Sequence, residues 1–344
     1  MPRPYDPKGN AVRSLLEAAQ WQAHDDEPVM EPDLPIVDPH HHLWIKPDDS
    51  YLAGDLERDL GSGHNILATV FIECVTAYRT DGPPETRPVG ETEFVLRSLP
   101  RRGSGTRFAA GIVGRADLSL GERVRPVLEA QIEAGQGRFR GIRRPLRWDP
   151  EGIGLFGKPF PPSLAMDGAF RRGVAELEPL GLSFDGWLFH HQLHEFADLA
   201  AAFPNTLMIL NHVGGPLGVG RFAGRRQEVF QAWRRSMADL ASRPNVMVKI
   251  GGLGMLYYGF DFHTRPQPAP SSVLAQAWAP YVLECIDLFG PSRCMFESNF
   301  PVDKQSCSYR SLWNAFKRIT AAFSDADKAE LFSRTAARVY RLDI

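Results

Sequence analysis

Eight short apolar runs recur along the 344 residues, each followed by a polar or glycine-rich turn and then by a stretch with helical spacing. They are Ile36–Val37, Ile66–Cys74, Ala109–Val113, Phe139–Arg143, Leu182–Trp187, Thr206–Leu210, Val246–Ile250 and Cys294–Glu297. Several are continuously apolar rather than alternating, the pattern of parallel strands covered on both faces. Helical stretches such as Arg225–Ala241 and Val273–Phe289 lie between them. Eight strand–helix units in roughly 250–300 residues is the arithmetic of an α/β chain closed into a (β/α)8 TIM barrel. An open, doubly wound sheet is the weaker alternative. No Gly-x-Gly-x-x-Gly directly follows any run, and polar residues stand after every run rather than at one crevice.

Three stretches are long for barrel connections, Ala77–Val89, Trp148–Met166 and Gly252–Ser272, and all are rich in Gly, Pro and aromatic residues. Such loops build pockets and lids on the C-terminal face of a barrel. Residues 1–34 read as an N-terminal arm, and 35–344 as a single barrel domain. Within the arm, Val12, Leu15, Leu16 and Ala19 give a short helix over Asn10–Trp21, broken at His24-Asp25-Asp26-Glu27-Pro28.

The net charge of −2 and pI near 6.6 show no bias toward polyanions, so neither nucleic acid nor a membrane surface is an expected partner. A small-molecule substrate is, and a homo-oligomer stays open. The first residues, Met1 to Asp6, have no apolar core of a signal peptide, and no run approaches spanning length. Cys74, Cys285, Cys294 and Cys307 lack Cys-x-x-Cys spacing, which fits reduced, small buried residues in a cytoplasmic protein.

The chemistry gathers at the ends of the runs. The first passes into Asp38-Pro39-His40-His41-His42-Leu43-Trp44. Pro39 has no N–H for a ladder, so the strand is expected to stop there. In an extended chain His40 and His42 point one way and His41 the other. Two imidazoles on one side are half of a divalent-metal site. Glu73 ends the second run, Arg143-Arg144 the fourth, and Trp187 with His190-His191 the fifth. Asn211-His212 follows the sixth, Lys249 lies in the seventh, and Glu297-Ser298-Asn299-Phe300-Pro301-Val302-Asp303 follows the eighth.

Taken together, Asp38-x-His40-x-His42, a histidine after the fifth run, Asn211-His212-x-Gly214-Gly215-Pro216 and Ser298-x-x-Pro301 resemble the amidohydrolase superfamily. More narrowly, they resemble the amidohydrolase-2 group, which includes sugar-acid and aromatic-pathway lactonases. The resemblance implies a distorted barrel with its site over the C-terminal face, a hydrolytic water and one divalent metal, with Zn2+ the natural choice. His40, His42 and His190 would be its ligands, with His191 or His194 as alternatives to His190. Without a lysine on the fourth run to carry a bridging carboxylate, a second ion is not expected. Asn299 stands where the family has an aspartate, and an amide cannot accept a proton from water. This departure leaves an enzyme without metal open as well. Asp303, His212 and Glu73 are then the candidate catalytic groups. Arg143, Arg144, Asn299, Trp187 and Tyr257 are the candidate substrate contacts, because guanidinium pairs bidentately with carboxylate. The expected reaction is hydrolysis of a small carboxylate- or sugar-derived lactone. A non-oxidative decarboxylase of an aromatic or unsaturated acid and a catalytically silent binding barrel are the alternatives.

Overall fold

The computed structural model describes residues 11–100, 105–154 and 160–344. The first residues, on which the reading of no signal peptide rests, lie outside these, as does part of the Trp148–Met166 stretch. Eight parallel strands form one sheet in sequential order: β1 (Ile36–His41), β2 (Ile66–Ile72), β3 (Arg107–Gly114), β4 (Phe139–Pro145), β5 (Ser183–Trp187), β6 (Met208–Leu210), β7 (Val246–Ile250) and β8 (Cys294–Phe296). The sheet curls into a (β/α)8 barrel. Its first strand meets the segment after its last, where Asn299 N–H donates to the His40 carbonyl at 2.9 Å and His42 N–H to the Phe300 carbonyl at 2.8 Å.

Alternation along the strands sorts the apolar residues into two clusters. Val37, Val70, Ile72, Val113, Ile209 and Met295 pack together, and Tyr340 from the C-terminal helix joins them. Their neighbours Ile36, Phe71, Ile112, Leu210 and Phe296 belong to the larger cluster shared with the helices. The first set faces the barrel axis and the second faces outward, so each strand has one phase that aims side chains at the axis.

The expectation that Pro39 ends the first strand is corrected. β1 continues to His41 because its register against β2 slips: Asp38 pairs with Thr69 and His41 with Phe71. The extra residue is a bulge, where a missing N–H costs no ladder bond. The slip keeps His40 on the axis side and sends His41 outward to Thr69, 3.0 Å away.

The arm helix spans Leu15–Gln22, later than expected, because Ser14 and Glu17 form a capping box that fixes its start. The C-terminal helix starts at Asp325, where Ser324 accepts from the Asp327 N–H as its cap, and passes through a π turn at Glu330–Arg334. Among the described residues no helix is long and apolar enough to cross a membrane.

Candidate active site

The inward phase of the strands brings polar groups to the C-terminal end of the barrel. On β8 Met295 points inward, so Glu297, two residues on, does as well. Its carboxylate lies between two imidazoles: Oε2 is 2.6 Å from His40 Nδ1 and Oε1 is 2.7 Å from His212 Nδ1. All three side chains are buried. With each Nδ1 facing the carboxylate, both rings turn their Nε2 away from it. On the far side of His40, Arg143 Nη1 lies 3.3 Å from Nε2. Below them Lys249 of β7 pairs with Asp185 of β5 at 2.9 Å and reaches within 3.4 Å of His40 Nδ1. Asp185 also accepts from Asn211 and from Tyr340, so this buried carboxylate has three polar partners.

The local field is set by burial. It pushes the Glu297 carboxyl up to about 8, against the pull of Lys249. It holds His40, His42 and His212 well below the ordinary imidazole range, with Lys249 adding to this at His40 and Arg143 at the other two. These rings are therefore neutral, and neutral imidazole is the form that binds metal.

His40, His212 and Glu297 offer ligand atoms within 4.8 Å of one another, a group able to hold one divalent ion. Two imidazoles and a carboxylate suit zinc in donor type. Among the described residues this is the single such group. The set differs from the expected His40, His42 and His190. The structure does not bring His190 to this centre: its Nδ1 accepts from the Leu217 N–H at 3.3 Å, and the Phe222 ring packs on it at 4.8 Å. His191 stacks on the same Phe222, and its Nε2 lies 3.0 Å from the Trp148 carbonyl. Glu297 is the residue the sequence reading passed over.

A cavity of about 650 Å³ opens over the rim. His42 and His212 line it, and Trp187 meets the His212 ring edge-on at 5.5 Å. His42 Nδ1 lies 2.8 Å from the Ile72 carbonyl, which fixes the proton there and leaves Nε2 as the lone-pair nitrogen. The β3–β4 wall carries Arg115, Arg143, Arg144 and Arg147. Glu73, also on the wall, occupies two of them: Arg143 Nε donates to it at 2.8 Å and Arg115 Nη1 at 3.4 Å. Burial alone would raise the Glu73 carboxyl, but these guanidinium groups hold it below the ordinary range. Glu73, expected among the catalytic groups, serves here as the counter-ion of both guanidinium groups. Arg144 is committed least. Its nearest carboxylate, the exposed Asp117, is 4.0 Å away, and its buried Nε has no hydrogen-bond partner.

Asp303, a candidate catalytic group, has both carboxylate oxygens engaged by Asn299 and Gly254 rather than by a histidine. It is buried, with Oδ1 accepting from Asn299 Nδ2 at 2.7 Å and Oδ2 from Gly254 N–H at 2.8 Å. Asn299, not Asp303, lines the cavity. Asp303 therefore positions the amide, and burial raises its own carboxyl well above the usual range. Tyr257 is likewise displaced from its expected role. It is buried, stacked on Trp187 at 6.4 Å with its hydroxyl on Met255 Sδ, and is absent from the cavity lining.

A family model described as Amidohydrolase matches residues 37–342. The uncharacterized protein y4mH of Sinorhizobium fredii is 33% identical over 90% of this chain and 99% of its own length. An L-fucono-1,5-lactonase of Burkholderia multivorans is 25% identical over 89% of this chain and 96% of its own. A Burkholderia multivorans amidohydrolase solved with bound zinc superposes with a TM-score of 0.68 at 23% identity, over 90% of this chain and 99% of that one.

Proposed function

This chain belongs to the amidohydrolase family, and on that premise we propose that it hydrolyses a small lactone bearing a carboxylate. The observation that carries the reading is the cavity itself, whose lining joins His212 of the His40–Glu297–His212 centre to a wall of arginines, with Arg143 reaching His40 behind it. The likeness to proteins named L-fucono-1,5-lactonase supports a ring ester as substrate.

His40, His212 and Glu297 would hold a divalent ion, zinc by donor type. Such an ion polarises a carbonyl and acidifies a water, so that a weak base suffices. The rest falls to the protein. Arg144 anchors the carboxylate of the substrate, since Arg115 and Arg143 are already paired with Glu73. Arg143, beside His40, presents N–H donors toward the oxygen that gains charge when the ring carbonyl is attacked. His42 Nε2 takes the proton of the attacking water and returns it to the ring alkoxide as the C–O bond breaks. Asn299, held by Asp303, orients the water through its amide without taking its proton. Trp187 gives the ring of the substrate an apolar face.

The test is metal analysis of the purified protein, followed by turnover of a lactone panel with and without chelator. Hydrolysis of an acidic lactone, abolished by chelator and restored by zinc, is the expected result. Release of CO2 from an aromatic acid with no lactone turned over would replace this reading with the decarboxylase one, which needs the same centre but no water attack.

A further inference from the structure

The N-terminal arm precedes the residues matched by the family, yet two of its side chains, Ala11 and Leu15, line the cavity. It is seated by directed bonds rather than by loose packing. Gln305 Oε1 accepts from the Val12 and Arg13 N–H groups at 3.0 and 2.9 Å, and its Nε2 donates back to the Arg13 carbonyl at 2.9 Å. Leu15 N–H donates to Asp49 Oδ1, and Gln22 Nε2 donates to the carbonyls of Lys304 and Cys307. Val12 and Ala18 are buried beneath these bonds.

The partner of the arm is the turn after β8. That turn carries Asn299 and Asp303 as well as Gln305, so one short segment fixes both the amide at the centre and the position of the arm. In a barrel of sequential strands the β8–β1 side lies across from β3–β4. The arm therefore closes the cavity opposite the arginines, where Leu15, Met255 and Val302 supply apolar surface beside Lys46, Asp49 and Gln305.

We propose that the arm, latched by Gln305, is the specificity-determining end wall of this cavity, and that it selects a carboxylate carrying an apolar end. The anionic head lies against Arg144 and the apolar end packs under Ala11 and Leu15. This deepens the lactone reading by naming the shape of its substrate, but it rests only on the cavity being where that substrate binds.

The experiment measures binding, not turnover. Acetate, butanoate and hexanoate are titrated calorimetrically into the full chain. For the wild type, affinity rises by up to about fourfold for each methylene removed from water. Leu15→Ser, at a half-exposed position on the helix, reduces this gain while retaining binding of acetate. Gln305→Ala reduces it likewise, because the arm is no longer held. Arg144→Met weakens all three acids alike and keeps the gain. Should Gln305→Ala fail to fold by circular dichroism, Leu15→Ser still decides. A wild type that binds none of the acids, or shows no chain-length gain, overturns the proposal, and so does a gain unchanged in Leu15→Ser. Lactone hydrolysis is scored separately. A chain-length gain without any lactone turnover removes the lactonase reading and leaves this one standing, and the converse result removes this one alone.

Discussion

Two buried carboxylates at the rim of the barrel each face a pair of basic groups, and they do different things. Glu297 lies between His40 and His212, both neutral, beside a cavity. Asp149 lies 2.6 Å from Arg221 and 3.9 Å from His191, and the Phe222 ring covers His191. A carboxylate opposite a permanent cation is neutralised and closes one loop onto another. A carboxylate opposite neutral imidazoles keeps room for a further positive charge. The difference lies in the partners, because both acids are equally buried.

The largest effect should separate the two. Glu297→Gln should lower kcat/KM by at least roughly 100-fold, the upper end for a group that orients metal-binding histidines. Asp149→Asn should lower it by less than about tenfold, that is under ~1.4 kcal/mol of transition-state stabilisation. Comparable losses in steady-state assays of the two would erase the distinction.

Next in size is Arg144→Met, which sharpens the view of the arginine wall. Loss of charge-assisted hydrogen bonds, worth about 1.5–3 kcal/mol, should raise KM roughly 10- to 100-fold for an acidic substrate and leave kcat nearly unchanged. A fall in kcat with constant KM would place Arg144 at the reacting atoms instead.

A third carboxylate tests burial without a basic partner. Glu91 accepts from the Cys74 and Thr76 N–H groups through Oε1, while Oε2 is buried without a partner. Burial, with Glu73 nearby, pushes its carboxyl from 4.5 up to about 8. The unfolded chain then loses this proton first, so Glu91 should make stability fall as pH rises from about 4.5 toward 8. Glu91→Gln should remove that slope in urea unfolding series at pH 5 and 8. Parallel slopes for wild type and variant would mean that Glu91 ionises normally.

The smallest effect belongs to Arg221→Met. Only the arginine of this pair is about a third exposed, so water still reaches the acid it leaves behind, and its loss should cost roughly 1–3 kcal/mol by thermal unfolding. A larger loss would make the Asp149 latch a structural keystone.

The barrel was legible because each of the eight runs marks a strand and the spacing between them allows one helix apiece. That His40 and His42 share a side was legible for a similar reason, since a period of two needs only local sequence, but His42 stands outside the group that His40 forms with His212 and Glu297. Pro39 hid the length of β1, because the bulge that tolerates it is a property of the pairing with β2. His190 looked like a ligand by position after β5, but its ring is turned by the Leu217 N–H and Phe222, which arrive from the loop after β6. Asp303 was chosen by proximity along the chain, whereas Asn299 and Gly254 take up its oxygens. Glu297 did leave a signal. Like Glu73, Glu297 is a charge that closes an apolar strand, Cys294-Met295-Phe296-Glu297, and the inward phase of Met295 aims it at the axis.

The contact between the first strand and the segment after the last has a consequence for how the enzyme is made. Asp38 accepts from the Ser298 N–H and hydroxyl and from the Tyr309 hydroxyl, partners 260 and 271 positions further along. The centre is therefore split between the first and the last strand of the barrel. A nascent chain emerging from the ribosome displays its paired histidines early but has no Glu297 until all eight strands have been made. The barrel should stay catalytically silent until then, and a fragment ending before β8 should be inert however well its remaining strands associate.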